Sequence, residues 1–143
     1  MTDPISLTIS EEADNAAEAF IGSAIRNWNI AQFGESNKRD LNILLRDDDG
    51  TVTGGLMGHT ARGWLFVALL FVPEALRGQG LARRLLILAE EEARRRGCLG
   101  AMIDTMNPDA LRLYRKAGYD VSGASPAFDS GHCITWLAKR FEA

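Results

Sequence analysis

Apolar and polar positions alternate near the start of the chain, where Ile5, Leu7 and Ile9 predict a short half-buried strand ending at Ser10. Ser10 reads as the N-cap of a helix. Beyond it Ala13, Ala16, Ala17, Phe20, Ala24 and Trp28 recur on one helical face, and Glu11, Glu12 and Asp14 suit the positive end of the helix dipole. From Asn29 to Asp40 the periodicity dissolves into a short second helix or a mobile loop. Residues 41–46 and 52–60 predict two strands around Asp-Asp-Asp-Gly-Thr, where Asp49-Gly50 supplies the positive backbone angles of a hairpin turn. Gly54, Gly55 and Gly58 mark a bulge or a close backbone approach in the second of these. Residues 64–72 are apolar throughout and predict a third strand buried on both faces.

The strongest helical pattern covers residues 81–96, with Ala82, Leu85, Leu86, Ala89 and Ala93 as its stripe and Gly97 where a C-terminal cap belongs. Glu90, Glu91 and Glu92 each stand four residues before Arg94, Arg95 and Arg96, which predicts helix-surface ion pairs rather than a nucleic-acid site. Residues 99–106 resume as a strand, and a strand-helix-strand crossover of this kind makes its two strands parallel. Asn107-Pro108-Asp109 then opens another helix as N-cap, first-turn proline and first-turn acid, with Ala110, Leu113, Tyr114 and Ala117 on its buried face. Two closing strands, near residues 119–122 and 133–139, complete a mixed sheet with helices against it.

At 143 residues the chain falls within the size of a single domain, 1–143, and no shift of composition marks a linker. A net charge of -3 and a pI near 5.4 give no general footprint for nucleic acid. No apolar run is long enough for a membrane-spanning helix, and the N-terminus lacks the basic and apolar regions of a signal peptide, so a cytoplasmic protein is expected. Cys98 and Cys133 lack metal-ligand spacing and read as small buried hydrophobes; no metal site is expected.

The candidate chemistry lies in Val72-Pro-Glu-Ala-Leu-Arg-Gly-Gln-Gly-Leu-Ala-Arg-Arg-Leu-Leu86. Pro73 ends the strand. Gly78 and Gly80 leave the turn without side chains, so amides at the coming helix start can approach a ligand closely. Arg83 and Arg84 sit where the helix dipole disfavours cations, a placement that makes sense if an anion binds there. A Walker loop is absent, and the dinucleotide fingerprint fails because Arg83 stands where a small residue is needed.

The remaining pattern, Arg77-x-x-Gly80-x-Ala82, resembles the coenzyme A signature of the GNAT superfamily of N-acetyltransferases, and Asn-Pro-Asp-Ala-Leu-Arg-Leu-Tyr-Arg-Lys-Ala-Gly-Tyr (107–119) resembles that family's second motif. The order of elements fits over nearly the whole chain. The resemblance implies an α+β fold whose mixed, mostly antiparallel sheet carries a central splayed parallel pair, with acetyl-coenzyme A as co-substrate. It implies pyrophosphate contacts from Gly78, Gln79, Gly80, Leu81 and Ala82 with Arg77 and Arg83 nearby. Leu70, Phe71 and Val72 would meet the pantetheine arm and thioester, Asn107 would add a polar contact, and Tyr114 would protonate the departing thiolate. On periodicity alone Tyr114 reads as a core tyrosine on the buried helix face.

An alkyl amine must lose a proton before it attacks, at a cost of about 4.6 kcal/mol at pH 7. Many members of the family carry a strand carboxylate for this purpose. Residues 64–72 have none, and Ala68 occupies a plausible position for it. Glu74, Asp104, Asp129 and His132 remain as candidates, each with an ordinary solvent or structural reading. The acceptor, a small-molecule or peptide amine, is expected near residues 28–40 and 125–132, with Phe33, Trp64 and Phe128 able to line its pocket. The alternative function is a non-catalytic module that senses acyl-coenzyme A. Neither nucleic acid nor membrane is an expected partner, and the sheet edges with the tail Phe-Glu-Ala leave room for a homodimer.

Overall fold

The structure, a computed structural model, describes residues 4–142; the first three residues and Ala143, part of the tail considered above, lie outside it. The chain divides into two units, one ending at Glu35 and the other beginning at Ser36. The first holds a single helix, α1 (Asn15–Phe33). Its N-cap is Asp14, whose carboxylate accepts from the Ala17 amide at 2.9 Å, and Gly34 follows its last turn. Ser10 does not cap it. The Ser10 hydroxyl instead accepts from the Glu12 amide in a local turn. The strand expected over Ile5, Leu7 and Ile9 is not formed: a strand needs a neighbour for its backbone groups, and these three side chains are exposed. The apolar stripe on α1 is not covered either, since no residue of the helix is buried. The helix runs five residues past Trp28, which absorbs part of the segment left open between helix and loop.

The second unit contains β1 (Arg39–Arg46), β2 (Val52–Ala61), β3 (Trp64–Phe71), α2 (Leu81–Arg95), β4 (Gly100–Thr105), α3 (Pro108–Lys116), β5 (Asp120–Ala124) and β6 (Thr135–Arg140). The sheet order is β1-β2-β3-β4-β6-β5. Only β3 and β4 are parallel, joined by the α2 crossover; every other pair is antiparallel. The α+β class and the mixed, mostly antiparallel sheet agree with the expectation.

The glycines of β2 occur where the backbone comes close. A Cβ on Gly58 would overlap the carbonyl oxygen of Phe66, so no side chain fits there. The β2-β3 register shifts between Met57 and Gly58, leaving Ala68 as the extra residue of a bulge.

One face of the sheet packs against α2, with Leu56, Leu65, Leu86, Ala89 and Leu137 at the centre of the core. Along β3, Leu65 and Val67 are buried, while Ala68, Leu69 and Phe71 are exposed. Burial on both faces therefore does not hold for this strand. The opposite sheet face is open, and its apolar residues are not explained by a core within the unit.

Of the pairs expected between the glutamate and arginine runs of α2, Glu92 with Arg96 forms at 2.9 Å, and Glu92 also takes Arg95 at 3.0 Å. Glu90 falls on the buried stripe, four residues after Leu86, and turns inward. There its carboxylate accepts from the Tyr119 hydroxyl at 2.8 Å and from the Lys139 ammonium at 2.7 Å. The ammonium also donates to the Ala117 carbonyl at 2.9 Å.

Burial, the Glu90 charge and its hydrogen bond hold the Tyr119 hydroxyl protonated far above its usual range. Burial, then the charge of Asp104, raises Tyr114 in the same direction. Below about pH 10 both tyrosines are protonated whether folded or unfolded; above it the unfolded chain releases protons that the folded chain retains. Stability is thus fully present below pH 10 and falls as pH rises, by up to about 1.4 kcal/mol per unit for each tyrosine. Urea denaturation between pH 8 and 11 should show a flat region followed by a decline. A stability that stays level to pH 11 would refute the buried protonated state.

Candidate active site

The parallel pairing between β3 and β4 is short. It joins residues 64–67 to residues 100–103 and stops where the Ala68 bulge bends β3 away. From Ala68 to Phe71 the strand keeps its partner on the β2 side only, so a gap opens in the sheet between the ends of β3 and β4. The candidate cofactor residues Leu70 and Phe71 line the β3 side of this gap, and buried Val72 follows.

Pro73 and a single 3-10 turn, Glu74–Leu76, carry the chain from that gap to α2. Gly78 and Gly80 have φ of 79° and 75°, the left-handed region that glycine enters at little cost. A Cβ at either would meet nothing within 4 Å, so conformation rather than crowding demands glycine here. Gly80 is the N-cap of α2 and has no side chain to cap it. The first helical hydrogen bond runs from the Arg84 amide to the Gly80 carbonyl, so the amides of Leu81, Ala82 and Arg83 precede the helical ladder. Three unpaired donors at the positive end of a helix form a site for an anion.

The arginines of the signature occupy different positions. Arg77 lies across the strand end, its Nε donating to the Val72 carbonyl at 2.9 Å and its guanidinium 5.8 Å from the centre of the Phe71 ring. Arg83 is exposed and reaches the Lys116 carbonyl at the end of α3 at 3.5 Å. Gln79 is exposed between the two glycines. These residues fit a pyrophosphate: donors at the helix start, no side chain at Gly78 or Gly80, and cationic groups on either side.

Asn107 caps α3 as its sequence suggests, its side chain accepting from the Asp109 amide at 2.9 Å, so its carbonyl oxygen is already engaged in the fold. Tyr114, about two turns further on, is buried and lies 6.4 Å from the Tyr119 ring. No hydrogen bond joins its hydroxyl to another group among the described residues, and the hydroxyl is not sealed from solvent. The raised pKa leaves it a proton donor at neutral pH.

Of the four candidate bases, Asp104 stands on β4 at the mouth of the gap and acts on Tyr114 electrostatically. Glu74, Asp129 and His132 are exposed on loops. One titratable group escaped the sequence reading. His59 stacks on Phe66 with ring centres 5.2 Å apart, and burial and then the Lys38 charge hold its imidazole neutral at pH 7 against the opposing pull of Asp40. Only the β2-β3 register brings it beside Phe66, so position in the sequence alone could not reveal it. Cys98 and Cys133 are free and half-buried rather than sealed in the core. No group of three or more His, Cys, Asp or Glu among the described residues could hold a metal ion, and none of the described helices is long and apolar enough to cross a membrane.

Residues 9–119 match the family model described as the acetyltransferase (GNAT) family. An acetyltransferase of Agrobacterium fabrum is 60% identical over 96% of this chain and 100% of its own length. A blasticidin-S acetyltransferase of Streptomyces morookaense is 39% identical over 63% of this chain and 67% of its own. Among solved structures, one from Agrobacterium tumefaciens superposes with a TM-score of 0.94 at 60% identity, covering 96% of this chain and all of the other. An acetyltransferase structure from Bacillus cereus shares the fold with a TM-score of 0.81 at 22% identity, over 94% of this chain and 98% of its own. With the split strand pair, the glycine turn and the uncapped helix start in place, these likenesses agree on one conclusion: the chain belongs to the GNAT family of acetyltransferases, enzymes that draw on acetyl-coenzyme A.

Proposed function

We propose that this acetyltransferase moves the acetyl group of acetyl-coenzyme A directly onto a primary amine while both substrates are bound. The observation that carries the reading is the gap between β3 and β4, which ends at the free amides of Leu81, Ala82 and Arg83. A pantetheine arm has amide groups spaced to pair with an exposed strand edge, and the gap offers such an edge from Ala68 to Phe71. Leu70, Phe71 and Val72 would hold the arm, and an amide near Phe71 would polarise the thioester carbonyl as a backbone oxyanion donor. Gly78, Gln79, Gly80, Leu81 and Ala82 would hold the pyrophosphate, with Arg77 and Arg83 supplying charge. The Asn107 side-chain amide group would add a polar contact.

Tyr114 would donate its proton to the thiolate that departs. Its ring is fixed by burial, and its pKa keeps the proton available. The amine must shed a proton as well, and Asp104, which follows the last residue of β4 paired with β3, is the carboxylate assigned to take it. A thiolate is a fair leaving group, so loss of the phenol should slow the reaction without abolishing it.

Tyr114→Phe is expected to lower kcat by about ten- to a hundredfold, with KM for acetyl-coenzyme A little changed. Steady-state kinetics with the best acceptor from a panel of amines reads this directly. Unchanged kcat would remove Tyr114 from the chemistry. Product formation across the panel tests the function itself: binding of acetyl-coenzyme A without acetylation of any amine would favour a sensing module instead.

A further inference from the structure

We propose that Tyr119, Glu90 and Lys139 are positioning residues for the reaction: together they fix the Tyr114 ring relative to the start of α2. The inference rests on the reading of Tyr114 as the acid. Among the described residues no hydrogen bond holds the Tyr114 hydroxyl, so the packing of the ring sets where it stands. Tyr119 supplies that packing twice. Its amide donates to the Tyr114 carbonyl at 3.0 Å, closing α3 across Gly118, whose φ is 98°. The turn brings the Tyr119 ring back beside Tyr114, with ring centres 6.4 Å apart and planes tilted by 57°.

Tyr119 is itself held from several sides. It is 1% exposed, and its hydroxyl donates to the Glu90 carboxylate on α2 at 2.8 Å. The Lys139 ammonium on β6 donates to the other oxygen of Glu90 at 2.7 Å and to the Ala117 carbonyl at the end of α3 at 2.9 Å. It also lies 5.7 Å from the centre of the Tyr119 ring. The cluster therefore ties the end of α3 to α2 and β6 at one ring. Glu90 and Leu81 are on the same helix, about 14 Å apart, so Tyr114 is referred to the rigid element whose first amides face the anion site. Arg83 adds a second tie, from the first turn of α2 to the Lys116 carbonyl.

Stability alone is a poor reason for such a cluster. Apolar residues of similar volume generally serve a core as well as a buried ion pair does. They cannot supply the fixed direction of a hydrogen bond. A group that must reach a leaving atom loses up to about a hundredfold in rate when displaced by about 1 Å.

Tyr119→Phe deletes one hydroxyl and should lower kcat by about tenfold, with KM for acetyl-coenzyme A changed by less than about twofold. In a Tyr114→Phe chain the same substitution should change kcat by less than about twofold, because no phenol remains to be placed. Where Tyr114→Phe lowers kcat, equal losses in the two backgrounds, or no loss in either, overturn the proposal. The triple variant Glu90→Met, Tyr119→Phe, Lys139→Met controls for folding: its urea stability should return close to that of the parent while kcat stays at least about tenfold lower. Recovery of kcat together with stability would make the cluster structural only.

A readout independent of turnover separates this inference from the acid assignment. The chain has two tyrosines, so labelling the tyrosine Cζ with carbon-13 gives two NMR signals, each assigned by the Phe variant of the other. In Tyr119→Phe the Tyr114 midpoint should fall toward the ordinary value near 10, because a loosened ring regains solvent. Burial is the larger cause that raises it, ahead of the Asp104 charge. An unchanged midpoint overturns the positioning. A lowered midpoint alongside undiminished kcat in Tyr114→Phe would uphold the positioning and remove only the acid.

Discussion

Gly80→Glu is expected to weaken acetyl-coenzyme A binding by at least about a thousandfold, read by calorimetric titration against the unaltered protein. Two effects combine. A side chain at φ of 75° costs about 1–2 kcal/mol in the left-handed region, which shifts the turn and the amides that follow it. The new carboxylate would then stand against a pyrophosphate, a repulsion of up to about 4 kcal/mol at contact distance near a protein surface. The fold should survive, because a Cβ at this position meets nothing within 4 Å. Gly80→Ala separates the contributions: it keeps the strain, adds no charge and should cost about tenfold. Equal affinities for Gly80→Glu and the parent protein would remove the anion site from this turn.

The second large effect is on stability. Lys139→Met should destabilise the protein by about 3–5 kcal/mol, because it leaves the Glu90 carboxylate buried with the Tyr119 hydroxyl as its one remaining donor. The Ala117 carbonyl loses a donor in the same step. Urea denaturation at fixed protein concentration gives the value. Adding Glu90→Met and Tyr119→Phe to Lys139→Met removes the whole polar cluster and should restore most of the loss, since an apolar replacement of similar volume carries no uncompensated charge. A cost below 1 kcal/mol for Lys139→Met alone would mean that water reaches Glu90.

These two cases also show which parts of the molecule were legible in the sequence. The glycine turn, the Asn107 cap and the α2 stripe are local, set by residues within a few positions of one another. The parallel pairing of β3 with β4 was readable because one crossover helix joins them, whereas the place of β6 between β4 and β5 has no local signal. Glu90 was misread because its partners lie 29 and 49 residues away, and charge spacing along a helix cannot report which side faces the core. The apolar run of β3 was misread in a related way. Its composition records apolar side chains on both faces, but only the face toward α2 is buried. His59 is visible only through its register with Phe66. In the candidate site, the loop and Tyr114 announce themselves by motif, whereas the amine's base depends on how strands and loops converge, which has no linear signature.

The absence of any buried residue in α1 has a consequence for how the protein is made. The N-terminal residues leave the ribosome first and, at about 5–20 residues per second, precede the last strand by several seconds or more. Throughout that interval the sheet does not yet exist, so Phe20, Ile21, Ile25 and Trp28 meet only solvent or whatever binds nascent chains. Nascent chains should then aggregate through this apolar stripe, and a holdase that covers it should raise the yield.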